Sequence, residues 1–253
     1  MHFLLTNDDA YDAAGLAALR EAVGSLGRVT VAAPRHPQSG QGHAVTYAAP
    51  IRVETLDRPG LGRVHVCEGS PADCVRLALT TLAEDPVDWV LAGINRGANL
   101  GVDVLYSGTV AAAREAAIMG CRAAAFSQYV RRDVEQDWER STRWTAGLLR
   151  QMIARNLAPG VIWNVNLPLP GVAAPRVQAT SLARISLPMA FEVVDDAGPA
   201  GRSYRYCGRY ADRRGEPGSD VAAVFDSAIS VTPLGLDPTE PTLLETTFDA
   251  PPG

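Results

Sequence analysis

Along the first two-thirds of the chain, short apolar runs alternate with longer segments whose apolar residues recur every three or four positions. Phe3 to Thr6 is apolar up to its last residue and predicts a strand buried on both faces. Ala13 to Val23 carries Leu16, Leu19 and Val23 on one helical face, and Gly24 and Gly27 break the segment. Arg28 to Ala33 predicts a second strand, stopped by Pro34, and residues 35–45 follow as a polar, glycine-containing loop. Arg63 to Cys67 alternates like a strand. Ser70-Pro71 then offers a capping hydroxyl and a proline for the first helical position, and the helix is predicted to run through Val75, Leu77, Leu79 and Leu82. Asp88 to Ile94 predicts the next buried strand, followed by a long loop rich in glycine and asparagine. Thr109 to Met119 predicts a helix closed by Gly120, Arg122 to Ser127 a strand, Glu135 to Asn156 a long helix, and Val161 to Asn166 a strand stopped by Pro168.

This β-α alternation predicts an α/β fold, a mainly parallel sheet with helices on both faces. After about residue 172 the pattern changes. Arg176 to Ala183, Ser203 to Tyr210 and Ala222 to Thr232 predict strands with little helix between them, so antiparallel hairpins are expected to extend the core. The expected organisation is a core over residues 1–172 and a β-rich extension over 173–253 that partly returns to it, within one structural domain. The last dozen residues and the stretch leading into them, with Pro238, Pro241, Pro251 and Pro252, are expected to be partly loose.

Composition narrows the functional classes. The chain has 253 residues, 47% hydrophobic and 20% charged, which is ordinary for a globular protein. Its net charge is -5 and no basic stripe stands out, so duplex nucleic acid is not an expected partner. A small anionic substrate would need neutralisation from a metal or from backbone amides. Cys67, Cys74, Cys121 and Cys207 form no paired motif, and their apolar or strand-like settings suggest buried free thiols in a reducing compartment. No basic-then-apolar leader opens the sequence and no apolar run is long enough to span a membrane, so a cytoplasmic protein is expected.

The chemistry concentrates in three loops that follow strands. The first is Asn7-Asp8-Asp9, where two adjacent carboxylates at the end of a buried strand repel unless a cation lies between them or a proton is shared. The second runs from Pro37 through Ser39 and Gly40 to His43. The third runs from Gly93 through Asn95, Arg96 and Gly97 to Ser107-Gly108-Thr109. If the strands are parallel neighbours, the loops meet on one rim, where α/β folds bind ligands. Their side chains offer oxygens, which suits magnesium, calcium or manganese rather than zinc. Ser107-Gly108-Thr109 precedes a helix, and helix amides with adjacent hydroxyls can seat a phosphate. A plain turn and plain caps remain the simpler readings of both features. No GxxxxGK[ST] sequence and no GxGxxG after the first strand is present, which disfavours nucleotide kinases and dinucleotide folds. His43 and Arg96 are further candidates for contact with phosphate or substrate. No GxSxG elbow surrounds Ser39, so a ligand role suits it better than a nucleophilic one.

Taken together, TNDD at 6–9, AAPRHPQSG at 32–40, GSPADCV at 69–75, AGINRGANLGVDVLYSGTVAAAREA at 92–116, NVNLP at 164–168 and ISVTPL at 229–234 resemble the SurE family of stationary-phase survival proteins. The matches keep their order and span nearly the whole chain. The resemblance implies a Rossmann-like three-layer core, a C-terminal β-hairpin used in assembly as a dimer or tetramer, and hydrolysis of nucleoside 5'-monophosphates. It implies one divalent metal ion per subunit, magnesium or manganese (calcium in crystals), held by Asp8, Asp9, Ser39 and Asn95, with Asp8 and Asp9 catalytic. Asn7, Gly40, Ser107, Gly108 and Thr109 fall at the family's phosphate-side positions. One departure is Ala10, where the family usually has glycine; if that position needs positive φ, alanine costs on the order of 1 kcal/mol. The other is Ser70 for the usual threonine, which keeps the capping hydroxyl. Two alternatives stay open: a phosphatase acting on polyphosphate or other phosphomonoesters, and a non-catalytic nucleotide sensor.

Overall fold

A computed structural model describes residues 1–171, 173–185, 189–196, 198 and 201–239. Strand β1 (His2–Thr6) is buried along its whole length. Its side chains alternate between two cores: Phe3 and Leu5 enter one, Leu4 the other. The first core is covered by α1 (Ala14–Val23) and α4 (Trp138–Ile153), through Leu16, Leu19, Leu148 and Leu149. The second is covered by α2 (Pro71–Leu77) and α3 (Gly108–Ile118), through Val75, Val110, Ala113 and Ala116. Each fully buried leucine or phenylalanine contributes roughly 1.5–3 kcal/mol of transfer free energy, so the two faces of β1 anchor both layers.

The remaining strands are β2 (Arg28–Pro34), β3 (Val53–Arg58), β4 (Gly62–Cys67), β5 (Trp89–Arg96), β6 (Arg122–Gln128), β7 (Val161–Leu167), β8 (Val177–Ala179), β9 (Phe191–Asp196), β10 (Arg202–Tyr206) and β11 (Ile229–Gly235), with a short helix α5 (Asp220–Phe225) before the last. One sheet has the order β3-β4-β2-β1-β5-β6-β7-β11-β8. Its centre, from β4 to β7, is parallel. β3 and β11 pair antiparallel with β4 and β7. The Rossmann-like α/β core is therefore as expected, and β9 with β10 forms the antiparallel C-terminal hairpin.

Three local departures have physical causes. β3 is not among the strands the apolar pattern predicts, because it is an edge strand whose Glu54, Asp57 and Arg58 hide the alternation. Ala222 to Thr232 is not one strand: Ser219 accepts a hydrogen bond from Ala222 N and starts α5, and β11 begins only at Ile229. Short apolar runs fit either period, and the Ser-Asp start decides for helix. The strand expected over Arg176 to Ala183 shrinks to β8, and that expected over Ser203 to Tyr210 ends at Tyr206. Cys67 and Cys74 are buried, Cys121 is half-buried, and Cys207 is exposed rather than in an apolar setting. The loose tail expected for the last dozen residues lies outside the described residues. No helix among the described residues is long and apolar enough to cross a membrane.

Candidate active site

β1 lies between β2 and β5, where the chain passes from one half of the sheet to the other. Connections diverge at such a point and leave a crevice at the carboxyl ends of the strands. Asp8 and Asp9 follow β1 into it, and the loops after β2 and β5 flank them. The flanks are tied to the pair: Gln38 N donates to Asp8 O at 2.8 Å and Arg96 N donates to Asp9 Oδ2 at 2.9 Å. The two flanking loops are also joined, by Gly42 N donating to Tyr106 O at 3.0 Å. Asn99 anchors the third loop to the neighbouring strands. Its amide N–H donates to Asn166 Oδ1, its side chain donates to Ser127, and its carbonyl accepts from Asn164 and Asn166. The NVNLP segment thus holds the loop from below.

α3 brings its N-terminus against the pair. Its alanines 111, 112, 113, 116 and 117 are all buried, so small side chains let the helix sit close on the sheet. Ser107 is the N-cap, accepting from Val110 N at 3.1 Å. A Cβ on Gly108 would lie 2.8 Å from Asp8 Cβ, so only glycine permits this approach. Thr109 donates its hydroxyl to Asp8 Oδ1 at 2.5 Å. That proton is then committed to the carboxylate, and the Thr109 backbone N–H also bears on Asp8, which makes Thr109 a partner of Asp8. With Val110 N on Ser107 Oγ and Ala111 N on Ser107 O, the Ser107 hydroxyl proton and the Gly108 amide are the donors left to face an anion.

Asp8 is 4% exposed. Burial pushes its carboxyl above the usual range, the Thr109 hydrogen bond pulls it back, and the neighbouring Asp9 pushes it up again. A buried, crowded carboxylate of this kind invites a cation. The donors around it fit a hard one. Asn95 spends its Nδ2 on Gly97 O at 2.7 Å, leaving Oδ1 as an acceptor. Asn7 donates Nδ2 to Ala10 O at 2.8 Å, and its Oδ1 is buried with no partner. Ser39 and Gly40 are exposed on the rim, Gly40 at φ +74°, and no described group engages the Ser39 hydroxyl. Among the described residues no cluster of three or more His, Cys, Asp or Glu side chains forms, so any further ligands here are amide, hydroxyl or water oxygens. That chemistry suits magnesium or manganese.

Ala10 sits at φ +85°, buried, so the position does require the left-handed conformation that glycine adopts without strain. His43 is engaged elsewhere: its Nε2 meets Glu115 Oε2 at 2.8 Å, and Arg76 holds the other oxygen at 3.1 Å. Arg96 offers its backbone N–H to Asp9, while its side chain is exposed and has no partner among the described residues. The apolar pattern gives no sign of a second anchor for the third loop. Arg213 pairs with both oxygens of Asp103 at 2.6 and 2.7 Å and donates to Leu100 O at 2.7 Å. Asp220 accepts from Gly101 N at 2.8 Å. These partners are more than a hundred residues apart, and no local signal links them.

Residues 3–188 match the family described as "Survival protein SurE". A protein named "5'-nucleotidase SurE" from Myxococcus xanthus is 42% identical over 242 residues, covering 94% of this chain and 88% of its own. Another of that name, from Syntrophobacter fumaroxidans, is 38% identical over 248 residues, covering 97% of this chain and 98% of its own. The crystal structure of the SurE protein from Aquifex aeolicus superposes with a TM-score of 0.81 at 34% identity, covering 97% of both chains.

Proposed function

The chain belongs to the survival protein SurE family, and from that premise we propose that it is a divalent-metal-dependent 5'-nucleotidase, hydrolysing nucleoside 5'-monophosphates to nucleoside and phosphate. The observation that carries this reading is the meeting of Asp8 and Asp9 with the N-terminus of α3 at the switch point of the sheet. Asp8, Asp9, Ser39 and Asn95 would hold the ion. Bound there, magnesium or manganese supplies charge neutralisation for the phosphate and a water of lowered pKa. The Ser107 hydroxyl and the Gly108 amide at the start of α3 would receive the phosphate oxygens, stabilising charge with donors already fixed in place. Thr109 orients Asp8 and partly offsets the burial that favours its protonated form, and Gly108 leaves room for it. Asn7 holds the turn at Ala10 that aims both carboxylates.

The reading extends to assembly and location. The β9–β10 hairpin leaves Phe191, Val193 and Tyr204 more than half exposed, which supports a dimer or tetramer built on that hairpin. Four free cysteines support a reducing, cytoplasmic setting. The test is phosphate release from a panel of nucleoside monophosphates with manganese, with magnesium and with chelator. Release that requires the metal is expected. Release indifferent to chelator, or none from any monophosphate, overturns the proposal.

A further inference from the structure

A cavity of about 1030 Å³ opens beside the rim, and the metal and phosphate positions proposed for the hydrolase leave it unused. It lies between the segment after β6, the segment after β10 and the end of α5. Arg96 joins it to the carboxylate pair: its N–H is on Asp9 Oδ2 at 2.9 Å and its side chain lines the cavity. Arg96 is thus the one described residue shared by the carboxylate pair, through its backbone, and the cavity lining, through its place in it.

Two properties of the lining define what fits. The first is charge. Arg96, Arg131, Arg132 and Arg209 face the cavity with one carboxylate, Asp133, an excess of three positive charges on a chain whose net charge is -5. Arg131 is paired with Asp133, and Arg209 lies 3.8 Å from Asp212, outside the lining. Arg96 and Arg132 have no partner for their guanidinium groups among the described residues. One of them could serve the phosphate at the rim; the other is left over, and a neutral nucleoside gives it nothing to bind. The second property is the ring surface. Tyr129 is 6% exposed, covered by Phe225 with centroids 5.1 Å apart and by Tyr210 at 6.0 Å, and Arg213 lies over the Tyr210 ring, so Phe225, 36% exposed, is the ring of this aromatic wall that a base can reach. The volume lies at the top of the range of about 300–1,000 Å³ common for small-ligand sites, more than one nucleoside fills.

We propose that this cavity receives the distal part of a nucleotide that carries a second, sugar-borne phosphate, with the base on the aromatic wall and the second phosphate at Arg132. The phosphate is either terminal, as in a nucleoside 3',5'-bisphosphate, or bridges to a further nucleoside in a short 5'-phosphorylated oligonucleotide. The inference rests on the hydrolase reading above and deepens it. In the reaction, a water oxygen bonds to the 5'-phosphorus, the bond from phosphorus to the 5'-oxygen breaks, and the leaving oxygen takes up, net, the proton the water gives up; the second phosphate stays on the product.

The test compares adenosine 5'-monophosphate, adenosine 3',5'-bisphosphate and the dinucleotide pApA at fixed ionic strength and saturating manganese, with products separated by chromatography. A charge-assisted guanidinium contact lowers KM for at least one of the doubly phosphorylated substrates by about tenfold relative to the monophosphate. Arg132→Gln, an exposed substitution, collapses that ratio to within about twofold. Preference for the bisphosphate alone identifies a terminal phosphate, and preference for the dinucleotide a bridging one. Equal KM values for all three substrates, or a preference that survives Arg132→Gln, overturns the proposal. If even the monophosphate is not hydrolysed, the hydrolase reading fails, and equilibrium binding of the same three ligands to the wild type and Arg132→Gln decides the inference on its own.

Discussion

Gly108→Ala is the smallest change that should damage the site from outside its ligands. The added Cβ would lie 2.8 Å from Asp8 Cβ, 3.0 Å from Asp8 Oδ2 and 3.1 Å from Pro71 Cγ. Carbon atoms rest about 3.5–4.0 Å apart, so α3 and the Asp8 turn must separate by roughly 0.7–1.2 Å. Such overpacking costs about 1–3 kcal/mol. Alanine's better helix propensity returns up to about 1 kcal/mol, less at the first turn than in the interior. The expected net loss is about 1–2 kcal/mol. Activity should suffer more, because a misplacement near 1 Å at a reacting centre costs on the order of a hundredfold. A Cβ added at Gly147 in α4 would meet nothing within 4 Å, so Gly147→Ala is the control, stabilising by up to about 1 kcal/mol with turnover unchanged. Urea unfolding and phosphate release on both variants give the answer. Wild-type stability and turnover in Gly108→Ala would refute the close approach of α3 to Asp8.

Other expectations follow from the same structure. Ala10→Gly should shift stability by less than about 1 kcal/mol, since relief at φ +85° is offset by a lost buried methyl and a freer unfolded chain. Ala10→Val, with a branched side chain in the same conformation, should cost more than about 2 kcal/mol in urea melts. Arg213→Met leaves Asp103 without its cationic partner, with only the Tyr210 hydroxyl and the Leu100 amide among the described residues still on it, at a site where the Arg213 side chain is 1% exposed, and should cost about 3–5 kcal/mol, whereas Arg28→Met at the exposed pair with Asp85 should cost under about 1 kcal/mol. For Asp73, burial pushes the carboxyl up, but hydrogen bonds from Thr46 and Ser70 outweigh it and hold it below the ordinary 3.8. A depressed carboxyl stabilises the fold above its unfolded value and loses that contribution as pH falls through the folded one. Asp73→Asn should therefore be less stable than the wild type by about 1–2 kcal/mol at pH 7, and the gap should narrow below about pH 4 in pH-resolved thermal melts.

Much of this architecture is legible in the sequence because its signals are local. The apolar run before Thr6, the Ser70-Pro71 start and the Gly120 stop each act within a few residues. The carboxylate pair is legible for the same reason: two adjacent aspartates after a buried strand have few places to be. Edge and tail elements read poorly, since β3 is half-exposed and charged and α5 fits either period. The Arg213–Asp103 and Asp220–Gly101 anchors are not legible at all, because each is a contact between distant segments with ordinary neighbours. The role of Thr109 needs the folded chain for another reason: its sequence context says phosphate seat, and only the 2.5 Å hydrogen bond shows the hydroxyl turned to Asp8. The cavity arginines lie at 96, 131, 132 and 209, too scattered to form a basic stripe.

The central claim is that Asp8 and Asp9 hold a metal that the reaction requires. The direct measurement is manganese binding and monophosphate turnover on one preparation of Asp9→Asn, each followed to saturating manganese. The account predicts a weakened manganese affinity and turnover reduced by more than about a hundredfold even at saturation. Near-normal turnover in that variant, with or without manganese bound, would contradict it.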